Sequence, residues 1–165
     1  MIVVDSNILA ARVLTSDMTD LAQQVEEADP VWLVPRLWRY EFLNILATQI
    51  KVGRMKAPTA LRIWQTLIDL LSNNEGEPPA AHILDLVARH RITAYDAHFV
   101  ALAQINSCRL ITEDGELQRK FPLSALSMRA YLDARNSSGW VRESAAPYGQ
   151  RAHTPKATRK AQTVR

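Results

Sequence analysis

The stretch Ile105 to Leu117 reads INSCRLITEDGEL, and its two halves do different things. A short apolar run, Cys-Arg-Leu-Ile, stops abruptly on Thr112-Glu113-Asp114-Gly115. A strand over 109–112 that ends this way displays acids at the edge of a sheet. In open α/β sheets ligands sit just outside the carboxyl ends of the strands, so Asp114 becomes a candidate site residue. The segment before it, Thr93 to Ala103, is apolar nearly all round and reads as a buried helix. Thr93 followed by Asp96 resembles a capping box with Asp in place of the usual Glu or Gln, which puts Asp96 in the first turn of that helix. There the helix dipole favours the ionised carboxylate.

The same transition occurs at the start of the chain. Met1 to Val4 is an unbroken, largely β-branched run of the kind a strand covered on both faces needs. It ends on Asp5, and Ser6-Asn7 then leads into helical spacing at Ile8, Leu9, Val13 and Leu14. Further along, 20–28 reads as a helix and Val31 to Val34 as a second buried strand. Pro35 suits the first turn of a helix running to Lys51 and closing at Gly53. Glu41 lies on the more polar stripe of that helix, with Leu37, Asn44 and Thr48 as its i−4, i+3 and i+7 neighbours. Helices are also expected over 58–71, 80–90 and 128–135, and a last strand within 121–126. The polar run Ser72 to Pro79 breaks the helical pattern and leaves room for a short edge strand, which the sequence does not fix. Strands alternating with helices in this order predict an α/β domain with a parallel sheet of about four to five strands sandwiched between helices.

The 165 residues, 47% hydrophobic and 22% charged, suffice for one soluble domain. No apolar run approaches the roughly 20 residues a membrane span requires. The N-terminus has no secretory pattern, and a single cysteine, Cys108, allows no internal disulfide, so a cytoplasmic setting is expected. The net charge of +3 is unevenly spread. Residues 136–165 carry six basic side chains against Glu143, which leaves residues 1–135 slightly negative. The expectation is a domain over 1–135 followed by a basic, disordered tail over 136–165. His82, His90 and His98 have no partners at metal-ligand spacing and read as surface or packing residues.

Asp5, Glu41, Asp96 and Asp114 each have an ordinary explanation as a cap or a solvated charge. Taken together they have another, because right-handed crossovers bring the strand ends after Val4 and Thr112 to one edge of the sheet. Two carboxylates about 4 Å apart repel by on the order of 4 kcal/mol at an effective dielectric near 20. A divalent cation relieves that conflict, and an all-oxygen set favours Mg²⁺ or Mn²⁺ over zinc.

Four segments, in order, resemble the PIN-domain family, and within it the VapC-type toxins of bacterial toxin–antitoxin pairs. They are Val4-Asp5-Ser6-Asn7-Ile8, Tyr40-Glu41-Phe42-Leu43-Asn44-Ile45-Leu46, the helix from Tyr95-Asp96-Ala97 to Ala103, and Leu110-Ile111-Thr112-Glu113-Asp114-Gly115-Glu116-Leu117. The basic tail is not part of that pattern. The resemblance implies a PIN-like fold and a metal-dependent endoribonuclease. It implies Asp5 and Asp96 as principal ligands of Mg²⁺ or Mn²⁺, with Glu41 and Asp114 completing the acidic pocket. Ser6, Asn7 and Thr112 would orient the carboxylates or the phosphate. It further implies an RNA substrate, an antitoxin protein as inhibitor and a homodimer, for which Trp38, Tyr40, Trp64 and Trp140 are candidate anchors. Glu113 and Glu116 read as surface charges. Alternatives are a housekeeping PIN nuclease for RNA processing and a nonenzymatic RNA- or protein-binding module. A haloacid-dehalogenase phosphatase is disfavoured because Asp5-Ser6-Asn7 lacks the second aspartate of its nucleophile motif.

Overall fold

The computed structural model describes residues 1–137. Five parallel strands form one sheet in the order β3-β2-β1-β4-β5: β1 (Ile2–Val4), β2 (Trp32–Pro35), β3 (Glu75–Gly76), β4 (Leu110–Ile111) and β5 (Ala125–Leu126). The strands are only two to four residues long. The central strands β1, β2 and β4 hold because helices cover both faces of the sheet, so apolar contact supplements a short ladder of hydrogen bonds, while the edge strands β3 and β5 are less completely buried. β1 shows this directly: Ile2 and Val4 join one core cluster and Val3 joins the other.

The first cluster packs α1 (Ser6–Val13), α2 (Thr19–Ala28), α3 (Trp38–Lys51), α4 (Ala57–Leu71) and α8 (Met128–Ser137) against one face. The second packs α5 (Ala80–His90), α6 (Ala94–Ile105) and α7 (Gly115–Lys120) against the other. The chain moves outward from β1 to β2 and β3, returns across the sheet through α5 and α6, and then moves outward the other way through β4 and β5. Its direction reverses between β1 and β4. That switch point is where open α/β sheets leave a crevice at the strands' carboxyl ends.

Several boundaries differ from the sequence expectation for physical reasons. Pro35 is the last residue of β2 rather than the start of α3, because it stays in register with Gly76, whose carbonyl accepts from the following Arg36 amide, and it needs no donor at a strand end. The unclear run 72–79 contains β3, an edge strand too short to show any periodicity. Gly53 does adopt positive φ, +73°, just beyond α3. Trp38 is fully buried and packs against Phe42 and Trp64, so it is a core residue and not an interface anchor, whereas Tyr40 is exposed. Helix α8 runs two residues past 135, to Ser137. The rest of the expected basic tail, with Trp140, lies outside the described residues. Among the described residues no helix is long and apolar enough to cross a membrane.

Candidate active site

At the carboxyl end of β1 the chain turns at once into α1. Asp5 is the N-cap, and its Oδ1 accepts from the backbone amides of Asn7 at 2.9 Å and Ile8 at 3.0 Å. Ser6 and Asn7, good caps by composition, are instead the first helical residues. The other oxygen of Asp5 accepts from the hydroxyl of Thr112, which follows β4 and is completely buried. Thr112 Oγ1 in turn accepts from the Asp114 amide at 3.0 Å. Asp114 repeats the pattern one strand over: it caps α7, accepting from the amides of Glu116 and Leu117. Both carboxylates therefore stand at strand ends because each closes a strand and opens a helix.

Glu41 reaches the same place from α3. Its Oε2 accepts from Ser6 Oγ at 2.6 Å. Asp96 comes from the first turn of α6 and forms a reciprocal cap with Thr93, whose hydroxyl donates to Asp96 Oδ2 at 2.6 Å and accepts from the Asp96 amide at 3.1 Å. A cavity of about 270 Å³ is lined by Asp5, Ser6, Asn7, Glu41, Asn44, Ile45, Asp96, Phe99, Asp114 and Leu117. All four sequence-nominated acids thus share one cavity, with Thr112 behind it. Asn44 and Phe99 were not nominated. Asn44 lies one turn beyond Glu41 on the same helix face, and that spacing was the available signal.

Among the described residues, no lysine or arginine lines this cavity. Burial pushes the Asp5 carboxyl up to about 6, against the opposing pull of the Thr112 hydroxyl and the two amides, and the Glu41 charge adds to the rise. Glu41 is also raised, first by burial and then by the Asp96 charge, although Ser6 and the nearby His98 pull the other way. These carboxylates hold their charge at a cost that a cation would remove. The donor set suits a hard, oxygen-preferring divalent ion. As the side chains stand, no group of three His, Cys, Asp or Glu among the described residues is close enough to ligate one ion directly.

Glu113 is exposed, as its sequence context implies, but it also has a structural contact. Its Oε1 accepts from the Met128 amide at 2.9 Å and so caps the start of α8. Glu116 is paired with Lys120 at 2.5 Å. His82 faces Gln104, His90 stacks on Phe121, and His98 Nδ1 donates to the Ala94 carbonyl.

The family model of the PIN domain matches residues 2–121, a span that contains all four acids and the switch point. The chain belongs to the PIN domain family. Ribonuclease VapC3 of Pyrobaculum aerophilum is 28% identical over 125 residues, covering 73% of this chain and 95% of that protein. Among solved structures, this PIN domain resembles PAE2754 from Pyrobaculum aerophilum, with a TM-score of 0.64 and 21% identity over 82% of this chain and 96% of that one. It also resembles FitAcB from Neisseria gonorrhoeae, with a TM-score of 0.63 and 15% identity over 78% and 99%. A toxin–antitoxin complex from Klebsiella pneumoniae gives a TM-score of 0.56 at 18% identity, over 78% and 98%. At these identities the structures share the PIN fold, a parallel sheet between helices.

Proposed function

We propose that the protein is a Mg²⁺- or Mn²⁺-dependent endoribonuclease and the toxin of a toxin–antitoxin pair. The observation that carries this reading is the single cavity lined by Asp5, Glu41, Asp96 and Asp114, with no basic residue among the described residues that line it. The ribonuclease name of the VapC3 relative and the toxin–antitoxin relatives of the same fold support it.

Asp5 and Asp96 would hold the ion, with Glu41 and Asp114 contributing through water. When bound, such an ion supplies charge stabilisation on a phosphodiester oxygen and lowers the pKa of a coordinated water. The chain's own residues do the rest. Thr112 and the first amides of α1 fix Asp5, and Thr93 fixes Asp96. Ser6 occupies Oε2 of Glu41, so Oε1 is the oxygen presented to a water, and its raised pKa suits it to take a proton. Attack by that water, its proton passing to Glu41, would break the bond from phosphorus to the 3′-oxygen, which leaves in line and takes up a proton from solvent.

A second cavity of about 720 Å³, between α1, α3 and α4, shares Asn7 and Ile45 with the acidic one. Its apolar residues, among them Val13, Leu14, Met18, Met55 and Ile63, suit a segment of the antitoxin. Exposed Tyr40 and Leu43 on α3 offer a surface for the homodimer. A cytoplasmic location goes with this reading.

Asp96→Asn tests it. The amide oxygen still accepts from Thr93, so folding should be kept while Mn²⁺-dependent cleavage of single-stranded RNA is lost. Equal cleavage by variant and wild type would refute the mechanism. Growth arrest on expression, relieved by the product of a neighbouring gene, tests the toxin assignment.

A further inference from the structure

The edge strand β3 lines no part of the acidic cavity, yet it touches both helices that deliver acids from outside the strand ends. We infer that Glu75 and Gly76 are positioning residues for Glu41 and Asp96, a role that rests on the metal-site reading above.

Helix α3 begins at Leu37 with no side-chain cap. Its first turn is held from outside instead. Glu75 accepts from Trp38 Nε1 at 2.7 Å, from Arg39 Nε at 2.6 Å and from a second Arg39 nitrogen at 3.1 Å. All three donors belong to α3, two and three residues before Glu41. The Glu75 side chain is 9% exposed. Burial would raise its pKa, but the Arg39 and Trp38 hydrogen bonds and the Arg39 charge together hold it below the ordinary value, so it stays an anion. Trp38 is wedged between Phe42 and Trp64, which makes the Glu75 contact a constraint on the rotation of α3 as well as on its position.

Gly76 acts on the opposite face. Its carbonyl accepts from the Arg36 amide at 3.1 Å, which ties β3 to the chain entering α3. A side chain at this position would run into Leu102 Cδ1 of α6, a buried residue less than two turns from Asp96. The glycine lets the strand and α6 approach closely. One dipeptide thereby sets the distance between α3 and α6 across the sheet edge, and with it the placement of Glu41 against Asp96.

The test compares the full chain with Glu75→Ala, Glu75→Gln and Gly76→Ala, using Mn²⁺ titration by calorimetry and urea unfolding. Tyr131→Phe, which removes hydrogen bonds to Asp29 and Arg135 and none to α3 or α6, is the stability control. Glu75→Ala should weaken Mn²⁺ binding at least fivefold, and Gly76→Ala at least twofold. Glu75→Gln, which keeps the acceptor for Trp38, should recover part of the loss, and Tyr131→Phe should bind Mn²⁺ as wild type does. If Glu75→Ala does not fold, Glu75→Gln is read alone, and a loss of twofold or more is expected there. Wild-type affinity in the folded Glu75 variants, or an equal loss in Tyr131→Phe, overturns the inference. If wild type shows no Mn²⁺ binding that Asp96→Asn abolishes, the metal-site reading fails and this inference fails with it; Asp96-dependent binding that ignores Glu75 overturns this inference alone.

Discussion

Ser6 Oγ donates a 2.6 Å hydrogen bond to Oε2 of Glu41, joining the first residue of α1 to an acid 35 positions later. It is the direct link between the β1 strand end and the acid carried by α3. Ser6→Ala leaves Glu41 with burial and the Asp96 charge acting on it and no compensating donor, so its pKa climbs further. A hydrogen bond to a charged group contributes roughly 1.5–3 kcal/mol, and partial exposure of Glu41 puts the effect at the low end. We expect kcat/KM for Mn²⁺-dependent cleavage to fall about tenfold. An unchanged rate would show that this contact does not orient Glu41.

Asp5 makes the metal-free protein sensitive to pH. Its folded pKa of about 6 lies above the ordinary 3.8, so the folded state binds this proton more tightly than the unfolded chain does. The associated stability is fully present below pH 4 and is lost as pH rises through 6, by roughly 3 kcal/mol. Asp5→Asn should therefore be more stable than wild type in EDTA at pH 7.5, and the two should converge near pH 4. Added Mn²⁺ should stabilise wild type and not the variant. Urea titrations at three pH values decide the matter; a variant less stable at pH 7.5 would mean that Asp5 is not held at a cost.

Thr112 serves two carboxylate loops at once, donating to Asp5 and accepting from the Asp114 amide. Thr112→Val keeps the shape and removes both bonds in a fully buried position. The expected loss is about 2–3 kcal/mol of stability, since two polar groups are left without a partner. Metal affinity should fall as well. A loss under about 0.5 kcal/mol in denaturant titration would indicate that water replaces the hydroxyl.

Glu113 and Glu116 separate a cap from a surface pair. Glu113→Ala removes the acceptor of the Met128 amide and should cost about 1 kcal/mol. Glu116→Ala breaks only its exposed pair with Lys120 and should change stability by less than about 0.5 kcal/mol. Equal effects would contradict the capping role.

The sequence reading succeeded where local pattern and topology agree. Val4-Asp5-Ser6 and Ile111-Thr112 announce their strands by apolar runs and their ends by the polar residues that stop them, and handedness then predicts a shared edge. β3 could not be fixed because two residues in a polar run carry no period, and the strand it pairs with, β2, is distant in sequence. The burial of Trp38 could not be told from a surface aromatic, since its hydrogen-bond acceptor, Glu75, is 37 residues away. The cap from Glu113 was hidden for the same reason, with Met128 15 residues on. Short-range signals reveal where acids begin and end elements; which distant donor each will meet depends on packing.

The bond from Thr112 to Asp5 spans 107 residues of chain. A protein made from its N-terminus displays Asp5 first, but cannot hold that carboxylate in place until β4 has been synthesised and slotted in beside β1. Partial products of translation, and fragments cut anywhere between the two strands, lack the assembled pocket. Assembly of the acidic pocket is thus tied to completion of nearly the whole domain, so no segment of the growing chain presents it before β4 is in place.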